Sequence, residues 1–80
     1  MSRDSANNLY RVAYQMESGN WVVYHTDWTE DEAIALALER CVDTKLKQAV
    51  FPRNRPMQIS VAERLADPDY LFITYEQLGG

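Results

Sequence analysis

The sequence predicts an α+β domain with the order strand, strand, helix, strand, strand. Three observations carry that prediction. Residues 9–16 alternate, with Tyr10, Val12, Tyr14 and Met16 on one face and Arg11, Ala13 and Gln15 on the other, which is strand periodicity. Trp21-Val22-Val23-Tyr24-His25-Thr26 is rich in aromatic and β-branched residues, a second strand. At Thr29 the period switches from two to that of a helix.

Between the first two strands, Glu17-Ser18-Gly19-Asn20 supplies turn residues. A loop at Ser18-Gly19 sets Met16 opposite Trp21, Tyr14 opposite Val23 and Val12 opposite His25, which gathers the apolar side chains on one face. Thr29-Glu30-Asp31-Glu32 fits a capping box, with Trp28 placed to staple onto Ala33. Strong helix formers follow, and the helix is expected over about residues 29–48. Its buried face is expected to hold Ile34, Ala37, Leu38 and Cys41, with Val42, the Lys45 stem and Leu46 at its margin.

Phe51 to Pro56 reads as a loop punctuated by two prolines. Met57, Ile59 and Val61 alternate with polar or small residues and predict the third strand. Asp67-Pro68-Asp69 reads as a turn, and Leu71, Ile73 and Tyr75 mark the inner face of a fourth strand. One helix covers one face of such a sheet. The opposite face is expected to be open and to offer Arg11, Tyr24, Arg64 and Phe72 to a partner.

Eighty residues make one domain, with 46% apolar content and a net charge of −4. That charge argues against nucleic-acid binding, which needs a basic footprint, and suits a basic partner surface. Lys45, Lys47, Arg53 and Arg55 form a block without acids over residues 44–62, read as cations at a helix end and in a solvated loop, or as a dock for an acidic partner. Tyr24 and Phe72, flanked by Arg11 and Arg64, also have the composition of a stacking platform, against which the acidic total stands. The single cysteine, Cys41, forms no internal disulfide and points to a reducing, cytoplasmic setting. No apolar run has membrane-spanning length, so no membrane partner is expected. His25 and Cys41 are two potential ligands without a third, so no metal is assigned, and no cofactor or catalytic constellation is found. The domain is not expected to be an enzyme, and it is expected to be a monomer or a weak oligomer. Residues 1–8 read as a flexible lead-in, residues 9–75 as the domain, and residues 76–80 as an extended tail.

The sequence ends Leu78-Gly79-Gly80. Two glycines at a fixed place arise by composition at a rate of about 0.5%. With the hairpin, the single capped helix and the acidic turn before the last strand, this end resembles β-grasp, ubiquitin-like proteins, in particular their sulfur-carrier branch. Pro68 stands where that family usually has Gly, and no Arg precedes the glycines. The resemblance implies a mixed sheet of order 2-1-4-3, with the last strand parallel to the first. It implies that an ATP-dependent adenylating enzyme activates the Gly80 carboxylate, with Gly79 leaving the passage clear and Leu78 and Gln77 recognised beside it. Glycine suits that chemistry because a side chain would crowd the reacting carbonyl. The alternative expectation is a small acidic binding module, an inhibitor or adaptor of the kind mobile elements carry, working through the open sheet face.

Overall fold

The computed structural model describes residues 9–79, residue 27 in its backbone alone. Strands β1 (Tyr10–Gln15) and β2 (Trp21–Trp28) form the expected hairpin. The Met16 N–H donates to the Asn20 carbonyl at 2.7 Å, and the Gly19 N–H donates to the Met16 carbonyl at 2.9 Å. Gly19 has φ 97°, the left-handed residue that closes a three-residue loop. The loop therefore spans Glu17 to Gly19, one residue more than the sequence suggests. Gln15 now opposes Trp21, Tyr14 opposes Val22 and Ala13 opposes Val23. A register shift between Ala13 and Val12 then restores the expected pairing of Val12 with His25.

Helix α1 (Glu30–Thr44) starts with the predicted capping box. Thr29 Oγ1 accepts from the Glu32 N–H at 3.4 Å, and Glu32 Oε1 accepts from the Thr29 N–H at 3.3 Å. The helix stops four residues before its expected end. The Thr44 hydroxyl donates to the Arg40 carbonyl and accepts from the Leu46 N–H, and Lys45 turns left-handed at φ 65°. Its buried residues are Ala33, Leu36, Ala37 and Cys41. Leu38, expected inside, and Val42, expected at the margin, are exposed. The helix has turned by about one residue, so that Ala33 and Ala37 face the sheet and let the backbone come close.

Strand β3 (Gln48–Pro52) replaces the strand expected over Met57 to Val61. Gln48, Ala49, Val50 and Phe51 are all buried, a continuous run that only a central strand covered on both faces explains. The Met57 to Val61 segment instead leads into a short helix, α2 (Ile59–Arg64). Ile59 and Ala62, three residues apart, are its buried positions. Strand β4 (Leu71–Ile73) follows, and then a 3₁₀ turn over Glu76–Leu78 occupies residues expected to be extended.

The sheet order is β2-β1-β3-β4, and every neighbouring pair is antiparallel. The α+β class stands, but the mixed sheet of order 2-1-4-3 does not: β3, not β4, lies beside β1. The residues account for this. The fully buried β3 belongs at the centre, while β4 is three residues long and leaves Leu71 exposed, which suits an edge.

Both faces of the sheet are covered. On one, Val12, Val50 and Ile73 pack against Ala33, Leu36, Ala37 and Cys41 of α1. On the other, Ala13, Ala49 and Phe51 pack against Ile59 and Ala62 of α2 and against Tyr70. The open face expected from a single helix is therefore closed by α2.

Candidate functional site

The four residues expected to share one face are divided. Tyr24 packs at the edge of the α1 core. Phe72 lies on the opposite side, half-buried between Tyr70 and Trp21, with ring centroids at 6.4 and 5.8 Å. Arg11 is opposite Phe51 in the ladder and so points to the α2 side, and Arg64 is exposed on α2 itself. No stacking platform of Tyr24 with Phe72 exists. Phe72 is part of a packed aromatic row.

The basic block is also divided. Lys45 sits 5.6 Å from the Tyr75 ring centroid. Lys47 pairs with Glu63 of α2 and lies 5.9 Å from the Phe72 centroid. The Arg53 N–H donates to the Leu9 carbonyl at 2.9 Å. Arg55 Nη2 donates to Asp67 Oδ2 at 2.7 Å, and its Nε lies 3.4 Å from Asp69 Oδ2.

That last contact explains the acidic turn. Asp67 Oδ1 accepts the Asp69 N–H at 2.9 Å, closing a local turn. This hydrogen bond, with the Arg55 guanidinium beside it, holds the Asp67 carboxyl below its usual value. The Tyr70 hydroxyl donates to the Pro56 carbonyl, so the turn and the Arg55 loop are fastened at two points. The two acids thus have a structural use within this fold.

At the C-terminal end, Thr74 and Gln77 cap each other. The Gln77 N–H donates to Thr74 Oγ1 at 3.4 Å, and the Thr74 N–H donates to Gln77 Oε1 at 3.3 Å. Leu78 is exposed. Gly79 has φ 88° and open space around its Cα, and Gly80 lies outside the described residues. His25, weighed with Cys41 as a ligand, packs against Trp28 with ring centroids 4.3 Å apart and planes tilted by 48°. Cys41 is buried, its thiol pushed up by desolvation and set 3.9 Å from the Ile73 carbonyl. A thiol so placed behaves as core, not as a reactive group.

The surface that stands out is one the sequence reading missed. Val61 stands on α2, Met57 two residues ahead of its first residue and Leu65 at its C-cap, with exposures of 36, 58 and 71%. Val61 and Leu65, four apart, share one side of the helix, and Met57 and Val61 line the same groove, so the three form one ridge. A groove of about 370 Å³ runs along one flank, between α2 and the hairpin loop, with Gly19, Trp21 and Gln58 in its walls. A smaller one of about 170 Å³ lies on the other flank, against Arg55, Asp67 and Tyr70. Trp21 stands in the wall of the first groove, but its Nε1–H is closed off from solvent and has no acceptor among the described residues. The signal was present in the sequence: residues 57, 61 and 65 fit a helical period as well as residues 57, 59 and 61 fit a strand.

Compared with known proteins, the chain matches no family model, and no curated protein or solved structure matches it either.

Proposed function

We propose that this chain is a non-catalytic protein-interaction module that docks its partner on the α2 ridge. The observation that carries the reading is the exposed row of Met57, Val61 and Leu65. Methionine and leucine side chains standing at the two ends of a short helix give an adaptable apolar contact, and exposed apolar surface of this kind marks interaction sites. The flanking grooves accept partner side chains. The net charge of −4 favours a basic partner.

The test is affinity capture with the wild type and three variants. Val61→Asp with Leu65→Asp is expected to lose the partner. Leu38→Asp, on the opposite face, and deletion of Gly79-Gly80 are expected to keep it. A partner lost with the tail and kept by the ridge variant removes the reading.

A second reading takes the Leu78-Gly79-Gly80 end as a substrate for an adenylating enzyme, in a protein modifier or sulfur carrier. The exposure of Gly79 favours it, since nothing stands within 4 Å of where a Cβ would be. ATP–pyrophosphate exchange by a candidate activating enzyme, with and without the two glycines, tests it. Equal exchange by both chains removes it.

A further inference from the structure

A second concave site lies on the other side of the sheet and owes nothing to the ridge. An α-helix is about 10 Å wide, and strands are spaced about 4.8 Å apart, so one helix covers two to three strands. The α1 core is built on Val12, Val50 and Ile73, which belong to β1, β3 and β4. Beside the last turn of α1, residues of β1, β2 and β3 enclose a cleft. It measures about 440 Å³ and is lined by Tyr14, Tyr24, Arg40, Thr44, Leu46 and Gln48. That volume falls in the range of about 300–1,000 Å³ usual for small-molecule sites.

The floor is fixed in place. Gln48 is only 1% exposed and is the one buried polar side chain found among the described residues. Its Oε1 accepts the Tyr24 hydroxyl at 2.6 Å, and its Nε2 donates to the Leu46 carbonyl at 3.1 Å. Burial pushes the Tyr24 phenol up to about 12, against the pull of Arg40, so it remains a donor throughout the neutral range. Tyr14 leans on Tyr24 with ring centroids 5.6 Å apart and planes tilted by 51°. Two aromatic rings and Leu46 thus form an apolar wall held by a buried hydrogen-bonded chain. At the rim stands one cation, Arg40. Its contact with Asp43 is long, 3.7 Å, and both side chains are at least half exposed, so the guanidinium is only loosely held.

We propose that this cleft binds a small aromatic carboxylate. The ring of the ligand packs on Tyr14 and Tyr24, where offset or edge-on stacking is favoured. Its carboxylate accepts from Arg40, whose planar fork matches that group. A phosphate or a sugar would need more donors than this apolar wall supplies.

The experiment is a titration of ¹⁵N-labelled protein with indole-3-acetate and with its neutral counterpart, indole-3-ethanol. Saturable shifts are expected at the Gln48 side-chain amide and the Tyr14 and Tyr24 backbone amides. The acid should bind about tenfold more tightly than the alcohol, as a charge-assisted hydrogen bond provides. Arg40→Gln should erase that difference while leaving the melting curve in place, since Arg40 is half exposed. Equal affinity for acid and alcohol in the wild type overturns the proposal, as do shifts confined to the α2 side or no saturation. The ridge variants bear on none of these outcomes.

Discussion

At the level of single residues, Asp67 shows how a sequence signal can be real and yet have another cause. The spacing of Asp67 and Asp69 ahead of the last strand suggested a family pattern. In the fold, Asp67 receives the Asp69 N–H and the Arg55 guanidinium, a complete account of its charge. A carboxyl lowered from 3.8 in the folded state stabilises the fold above that pH, and the contribution fades as pH falls through the lower folded value. Acid titrations of the wild type and Asp67→Asn should therefore differ. The wild type loses stability more steeply below about pH 4, and the variant has the flatter profile and is less stable at neutral pH. Urea melts across pH 2 to 7 measure this, and parallel profiles would show that Asp67 has no linkage to folding. His25 and Cys41 carry the same lesson, since what each does is set by neighbours from other elements.

At the level of elements, legibility followed locality. The capping box at Thr29 and the hairpin turn at Gly19 are interactions within a few residues, and both could be read from the chain. What the sequence hid is non-local. Residues 48–51 read as a helix end running into a proline loop until two faces of neighbours bury them. Residues 57–65 fit periods of two and of four about equally, and only packing on Phe51 decides between them. The α2 helix also ends in a way no glycine advertises. The Asp67 N–H donates to the Ala62 carbonyl at 2.9 Å and the Ala66 N–H to the Glu63 carbonyl at 3.1 Å, with Ala66 left-handed at φ 55°. That is a Schellman ending with alanine where glycine is favoured. A left-handed alanine costs about 1 kcal/mol relative to glycine. Ala66→Gly should therefore raise stability by about 0.5–1 kcal/mol, read as a higher urea midpoint at unchanged slope. A lower midpoint would show that the turn gains more from alanine's restricted unfolded state than it loses to strain. The candidate site suffered the same blindness: Met57 and Val61 read as strand positions, and nothing local singles out Leu65.

At the level of the whole molecule, the sheet is a shared wall between two cores. Val12 and Val50 face α1, while their sequence neighbours Ala13, Ala49 and Phe51 face α2. Neither core can form without the strands that build the other, so unfolding should be a single transition. The two tryptophans make this measurable, because Trp28 packs on the α1 core and Trp21 on the α2 core. In Trp21→Phe and in Trp28→Phe, the remaining fluorophore should follow the same urea curve as far-ultraviolet circular dichroism. A fluorescence transition displaced from the dichroism curve would mean that the faces come apart separately. The edge position of β4 has a further consequence, for the growing chain. By the time Pro52 has left the ribosome, β2, β1, α1 and β3 are all available, and the central pair β1–β3 can close at once. A sheet whose last strand filled its middle would have to wait for that strand with its centre unmade.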